Sequence, residues 1–221
     1  MFNQYGVIFD MDGVLADTSQ IHFESWLKVA KEVGVTFTRE FFEGAMGQQS
    51  PSIMRKLIGS KMDQKSVEKW AALKEVYYRE MVKNKLEPIP GVKRIISNLS
   101  SEGFKLAVGS SGPKENVELT LSSLNIKDYF DTVITAAEVK NGKPEPDVFL
   151  IAAKNLEINP KNCLVIEDAP LGIEAAKSAG MLSIAITTTH SKEELFDAQM
   201  IIQDFSEINV KDILKLFNFN V

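Results

Sequence analysis

From Gly91 onward, short apolar runs alternate with amphipathic helical stripes, and no other feature of the chain constrains its fold as strongly. Val92, Ile95, Ile96 and Leu99 form a helical stripe that stops before Gly103. Strands are predicted at 104–108, 132–135, 163–166 and 182–186, with a possible edge strand at 200–202. Helices are predicted between them at 113–124, 147–156 and 171–179, and a last one near 210–217. Short apolar runs without polar alternation belong to strands buried on both faces. Strands that alternate with helices build a mostly parallel sheet in a three-layer α/β fold, joined by right-handed crossovers.

A further apolar run, Tyr5-Gly6-Val7-Ile8-Phe9, adds a strand near the start of the chain. Between it and Gly91 the pattern is helical throughout. Trp26, Val29, Ala30 and Val33 recur at helical spacing, with Gly34 as a C-cap. Further helices are expected near 38–46, 50–59 and 64–84, packed through Phe41, Phe42, Trp70, Tyr77 and Tyr78. The stretch 86–91 carries two prolines and a glycine and reads as a linker. The expected organisation is a core of 1–17 and 89–221, with an all-helical domain of 18–88 inserted into it.

Composition narrows the function. A net charge of −5 argues against binding to nucleic acid or to a membrane surface. With no long apolar run and no signal peptide, a cytoplasmic location is expected. The charge is uneven. Residues 18–88 hold twelve Lys/Arg against nine Asp/Glu, a balance of +3, which leaves −8 for the remainder. Such a balance suits ordinary solvated helix faces, or an insert that closes over an anion. A single cysteine, Cys163, excludes an internal disulfide and sits in an apolar run as a small buried hydrophobe.

Ligands in open α/β sheets bind at the carboxyl ends of the strands. Asp10 and Asp12 follow the first strand, and Gly13 then allows a sharp turn. Gly109-Ser110-Ser111-Gly112 follows the second strand, Asn141-Gly142-Lys143-Pro144 comes a little after the third, and Glu167-Asp168 ends the fourth. Carboxylates this close together are costly unless something neutralises them. Oxygen-only ligands from Asp10, Glu167 and Asp168 suit Mg²⁺. Ser110 and Ser111 precede a helix and suit an anion or a plain N-cap. Lys143 supplies positive charge between the acids and an anionic substrate. An aspartate beside Mg²⁺ can attack phosphorus, and a second acid two residues on can move the proton, so Asp10 and Asp12 fit nucleophile and acid/base. No Walker A or dinucleotide fingerprint occurs.

These segments, in this order, resemble the haloacid dehalogenase-like superfamily over nearly the whole chain. The motifs are Asp10-Met11-Asp12-Gly13-Val14, Ser110 after the second strand, Lys143 in Gly142-Lys143-Pro144, and Glu167-Asp168. The resemblance implies a Rossmann-like core with a helical cap. It also implies Asp10 as nucleophile, Asp12 as acid/base that meets Mg²⁺ through its backbone carbonyl, and Glu167 and Asp168 as acids on the metal side. Within the superfamily the chain looks most like the β-phosphoglucomutase-like branch of sugar phosphatases and mutases. There Thr18 and His22 match positions that couple cap closure to acid/base chemistry, and Lys74 matches a cap lysine that reaches the substrate. Solvated or plainly structural roles fit His22 and Lys74 about as well. Mutases of this branch carry a cap arginine for a distal phosphate, and Ser50 stands at that position, with Arg55 the nearest arginine.

The function expected is therefore a Mg²⁺-dependent phosphatase of a small phosphorylated metabolite, in the first place a sugar phosphate. Candidate substrate-binding residues are Thr18, His22, Gly47, Gln48, Lys74 and Ser111, with Gln49 and Ser50 as further hydrogen-bonding groups. Alternatives are a β-phosphoglucomutase, an inorganic pyrophosphatase and a metal-independent haloacid dehalogenase, the last disfavoured by Asp12. No obligate protein partner is implied.

Overall fold

The computed structural model describes residues 4–59, 62–83 and 85–218, so the expected helix end at Asn84 lies outside the described residues. Six strands form one sheet: β1 (Gly6–Phe9), β2 (Lys105–Gly109), β3 (Thr132–Ile134), β4 (Cys163–Glu167), β5 (Leu182–Ile186) and β6 (Met200–Ile202). Their spatial order is β3-β2-β1-β4-β5-β6, and every pairing is parallel. The expectation of a mostly parallel sheet thus sharpens to a wholly parallel one among the described residues. Strand order reverses between β1 and β4, and a crevice opens at the carboxyl ends of strands beside such a reversal.

Helices cover both faces, as the unbroken apolar runs require. Along β1 the side chains alternate: Val7 and Phe9 enter one buried cluster and Ile8 the other. The first cluster joins α5 (Val92–Ser101), α6 (Lys114–Ser123) and α9 (Val210–Asn218), through residues such as Ile95, Val117 and Ile213. The second joins α7 (Asp147–Leu156) and α8 (Pro170–Ser178), through Phe149, Ala152 and Ala176. Cys163 belongs to this second cluster, and burial pushes its thiol up to about 12. It is an inert apolar side chain, as its sequence context suggests.

Between β1 and α5 stand α1 (Ser19–Val33), α2 (Arg39–Glu43), α3 (Ser50–Ile58) and α4 (Gln64–Val82), which pack on a hydrophobic cluster of their own. Trp26, Val29 and Ala30 are buried there, and Gly34 caps α1 in the left-handed region at φ 77°. α2 is shorter than the predicted 38–46. The chain leaves the helix at Gly44 and turns through Gly47, at φ 80°, to reach the sheet edge. Trp70, Tyr77 and Phe41 pack partly into this cluster, whereas Tyr78 turns away and stacks on His22, ring centroids 4.1 Å apart. The two chain connections run side by side: Ala16 bridges Pro88, and the Ile89 N–H donates to the Leu15 carbonyl at 3.1 Å. No described helix is long and apolar enough to cross a membrane.

Candidate active site

The loop after β1 closes on itself before it leaves the sheet. The Gly13 N–H donates to the Ala16 carbonyl at 2.8 Å, and the Leu15 N–H to the Met11 carbonyl at 2.9 Å. This holds Asp10 and Asp12 at the strand end. Gly13 has φ 78°, and a Cβ there would collide with the Asp168 carboxylate. The glycine of the motif is therefore needed twice, for its backbone angle and for the close approach of an acid.

Asp10, Glu167 and Asp168 gather with one carboxylate oxygen each within 4.8 Å of one another, all buried. Lys143 Nζ donates to Asp10 Oδ1 and to Glu167 Oε1, each at 2.5 Å. The other oxygen of Glu167 accepts the backbone N–H groups of Asp168 and Ala169, at 2.9 and 3.0 Å. Glu167 is thus held on both oxygens, whereas Asp10 Oδ2 accepts from no donor among the described residues. Asp168 Oδ2 accepts from Thr189 Oγ1 at 2.5 Å, and Thr188 Oγ1 donates to the Gly13 carbonyl at 2.5 Å. These two threonines follow β5, where the strand-end logic applies equally. They fall outside the residues expected from the sequence.

Burial dominates the electrostatics. It pushes the Asp10 carboxyl up to about 7 against the pull of Lys143, with Glu167 adding to the rise. Asp168 is raised too, by burial and then by the nearby Glu167 and Asp10. Burial would depress Lys143, but Asp10 and Glu167 outweigh it and hold the ammonium above its ordinary range. Asp12 differs. Burial pushes it up, but the His22 ring and the Thr18 hydroxyl overcome this and leave it below the usual carboxylate range. Thr18 Oγ1 donates to Asp12 Oδ1 at 2.6 Å, and His22 Nε2 stands 3.1 Å from the same oxygen. The two acids of one loop therefore occupy opposite settings, one pressed toward neutrality and one held charged.

His22 links the loop to the helical insert. Its Nδ1 lies 2.7 Å from Lys74 Nζ. An ammonium that donates there requires the lone pair on Nδ1, which leaves the ring hydrogen on Nε2, facing Asp12. Lys74 is buried, so the reading of a solvated lysine is overturned for it, and equally for a surface His22. Ser110, Ser111, Gly47 and Gln48 line the same cleft as Asp10, Asp12, His22, Lys74 and Asp168. The Ser110 hydroxyl accepts the Gly112 N–H at 3.0 Å. The Ser111 hydroxyl donates to the Gly47 carbonyl at 2.8 Å, so these two residues bind insert to core, with that hydroxyl spent on the contact. Gln49 does not line the cleft but packs against Gly142. Arg55 donates to the Met62 carbonyl and to Gln64, which commits it to the α3–α4 connection.

Glu167 is seated against Gly172 so closely that a Cβ would overlap its carboxylate. Gly172→Ala is expected to displace Glu167 from the Asp168 and Ala169 N–H groups and to lower stability by about 3 kcal/mol. Urea unfolding checks this; an unchanged midpoint would show that Glu167 is not held by that seat.

A parallel sheet, a helical insert after β1 and an acid-lined crevice at the strand-order reversal define a haloacid dehalogenase-like hydrolase. The sequence profile of that family, described as haloacid dehalogenase-like hydrolase, matches residues 7–186, and the chain belongs to it. It is similar to β-phosphoglucomutase of Bacillus subtilis, 31% identical over 216 residues that cover 93% of this chain and 92% of the relative. It is also similar to the phosphorylated carbohydrates phosphatase of Thermotoga maritima, 33% identical over 79% of this chain and 81% of that protein. Among solved structures, β-phosphoglucomutase from Clostridium difficile superposes with a TM-score of 0.89 at 29% identity, covering 98% of each chain.

Proposed function

We propose that the protein is a Mg²⁺-dependent phosphatase of a sugar phosphate, working through an aspartyl-phosphate, with residues 18–88 acting as its cap. The observation that carries this reading is geometric: Asp10, Glu167 and Asp168 converge within 4.8 Å with Lys143 bridging Asp10 and Glu167, and Asp12, two residues on, is held by Thr18 and His22. Asp10 attacks phosphorus, and the P–O bond to the sugar breaks as the acyl phosphate forms. Asp12 enters this step protonated and passes that proton to the leaving oxygen; as the carboxylate, it then takes a proton from the water that attacks phosphorus, which breaks the acyl P–O bond, releases phosphate and frees Asp10. The held charge of Asp12 suits this second half. Ser110 and Lys143 bind and neutralise the transferring group.

The metal fits the donor set. Asp10 and Asp168 are hard oxygen ligands, both raised by burial in a way that a cation would relieve. They would hold Mg²⁺, together with the Asp12 carbonyl and with Glu167 beside them. When bound, the ion supplies charge stabilisation to the phosphoryl oxygens.

Hydrolysis of p-nitrophenyl phosphate tests the reading. Chelation with EDTA is expected to lower the rate at least about a hundredfold, and added Mg²⁺ to restore it; full activity in EDTA would refute the mechanism. A mutase is the second reading, favoured by the similarity to the B. subtilis enzyme across 93% of the chain. Incubation with β-glucose 1-phosphate and a bisphosphate primer separates the two: free phosphate marks the phosphatase and glucose 6-phosphate the mutase.

A further inference from the structure

The helical insert contributes to the cleft a carboxylate that the phosphoryl chemistry does not use. Glu75, on α4, lines the cleft next to Ser50 and Lys74. It is buried, and three donors hold it. The Ser50 hydroxyl and Lys74 Nζ, the latter at 3.1 Å, both reach Oε1, and Asn116 Nδ2 on α6 reaches Oε2 at 2.6 Å. A carboxylate has about four acceptor positions, so one on Oε2 is left without a donor among the described residues.

The Glu75 charge is matched by Lys74, and no cation of the described lining is left uncommitted. Lys74 is the one cation among the described residues that line the cleft, and it is already engaged by Glu75 and by His22 Nδ1. Arg79 donates to Asn116 Oδ1 at 2.9 Å and is joined to Glu75 through that amide. Trp26, Phe42 and Ile53 complete the wall and offer no donors to an anion, apart from an indole N–H. A second phosphate here would meet a buried anion with little solvent to screen it. A hydroxyl would instead find an open acceptor on Glu75 and an amide, Gln48, able to donate or accept.

We infer that Glu75, seated by Ser50 and Asn116, makes its part of the cleft a subsite for an uncharged, hydroxyl-bearing leaving group and excludes substrates with a second phosphate. The inference rests on the phosphatase reading for the position of the first phosphate. It makes Glu75 a specificity-determining residue.

Calorimetric binding tests it without turnover. The background is Asp10→Asn with Mg²⁺ present, and the probes are β-glucose 1-phosphate against β-glucose 1,6-bisphosphate and fructose 1-phosphate against fructose 1,6-bisphosphate. In at least one pair the monophosphate is expected to bind at least about tenfold tighter. Glu75→Gln keeps an acceptor and removes the charge, and should shrink that ratio at least about tenfold, by tightening the bisphosphate. Ser50→Arg, which places a cation beside Glu75, should shift the ratio the same way and decides the matter if Glu75→Gln does not fold. The inference is overturned if the bisphosphate binds as tightly as the monophosphate, if a folded variant leaves the ratio unchanged, or if no hexose phosphate binds while inorganic phosphate does. Failure of the phosphatase reading would show differently, as absent Mg²⁺-dependent p-nitrophenyl phosphate turnover in the unmodified protein.

Discussion

Asp10→Asn is expected to reduce phosphatase turnover at least about 10⁴-fold while leaving the fold intact. The amide cannot form an acyl phosphate, and no other acid stands in its place: Asp168 is tied to Thr189, and Asp12 to Thr18 and His22. Stability should change little. The change is isosteric, and Lys143 keeps Glu167 as its counter-charge. The amide carbonyl can still accept from Lys143. The checks are p-nitrophenyl phosphate turnover and a thermal melt. Residual activity above about one per cent would remove Asp10 as nucleophile.

Lys143→Ala should have the largest effect on stability. It leaves Asp10, Glu167 and Asp168 within 4.8 Å of one another with the bridging ammonium gone. Truncating one partner of a buried ion pair costs about 3–5 kcal/mol. The sign of the pH dependence follows from proton uptake. Without the cation, the folded cluster holds protons that the separated carboxylates of the unfolded chain release. The folded state then binds more protons, so its stability falls as pH rises. The deficit relative to the unmodified protein should be large near about pH 8 and smaller near about pH 5. Mg²⁺ should recover part of it, because a ligand that binds only the folded state stabilises that state. Urea unfolding at both pH values, with and without Mg²⁺, measures this. A deficit independent of pH would mean that Lys143 acts through packing alone.

Much of the fold was legible because it rests on local properties. Val7-Ile8-Phe9 and Cys163–Ile166 are apolar on both faces, and only a strand covered on both sides satisfies such a run. The acids were legible for a related reason, since Asp10 and Glu167-Asp168 directly follow those runs and a strand delivers its next residues to the sheet edge. Thr188 and Thr189 obey the same rule, since they follow β5 by two and three residues. The end of α2 was less legible. Nothing local to 44–47 announces that the chain must turn there to bring the Gly47 carbonyl to Ser111.

Glu75 could not have been found from sequence. It sits in a helix beside a lysine, where a solvated glutamate is the ordinary expectation. Its partners Ser50 and Asn116 lie 25 and 41 residues away, on two other helices. Lys74 beside it, a candidate through the family resemblance, is buried against His22.

By itself, then, the sequence determines the parallel sheet, the helical insert and the row of acids at the strand ends, because burial pattern and strand direction act over a few neighbouring residues. Tertiary structure alone decides which acid is pressed toward neutrality and which is held charged. It also decides that a buried carboxylate of the insert lines the cleft. These outcomes depend on desolvation and on partners brought together from distant segments, and no local pattern encodes either.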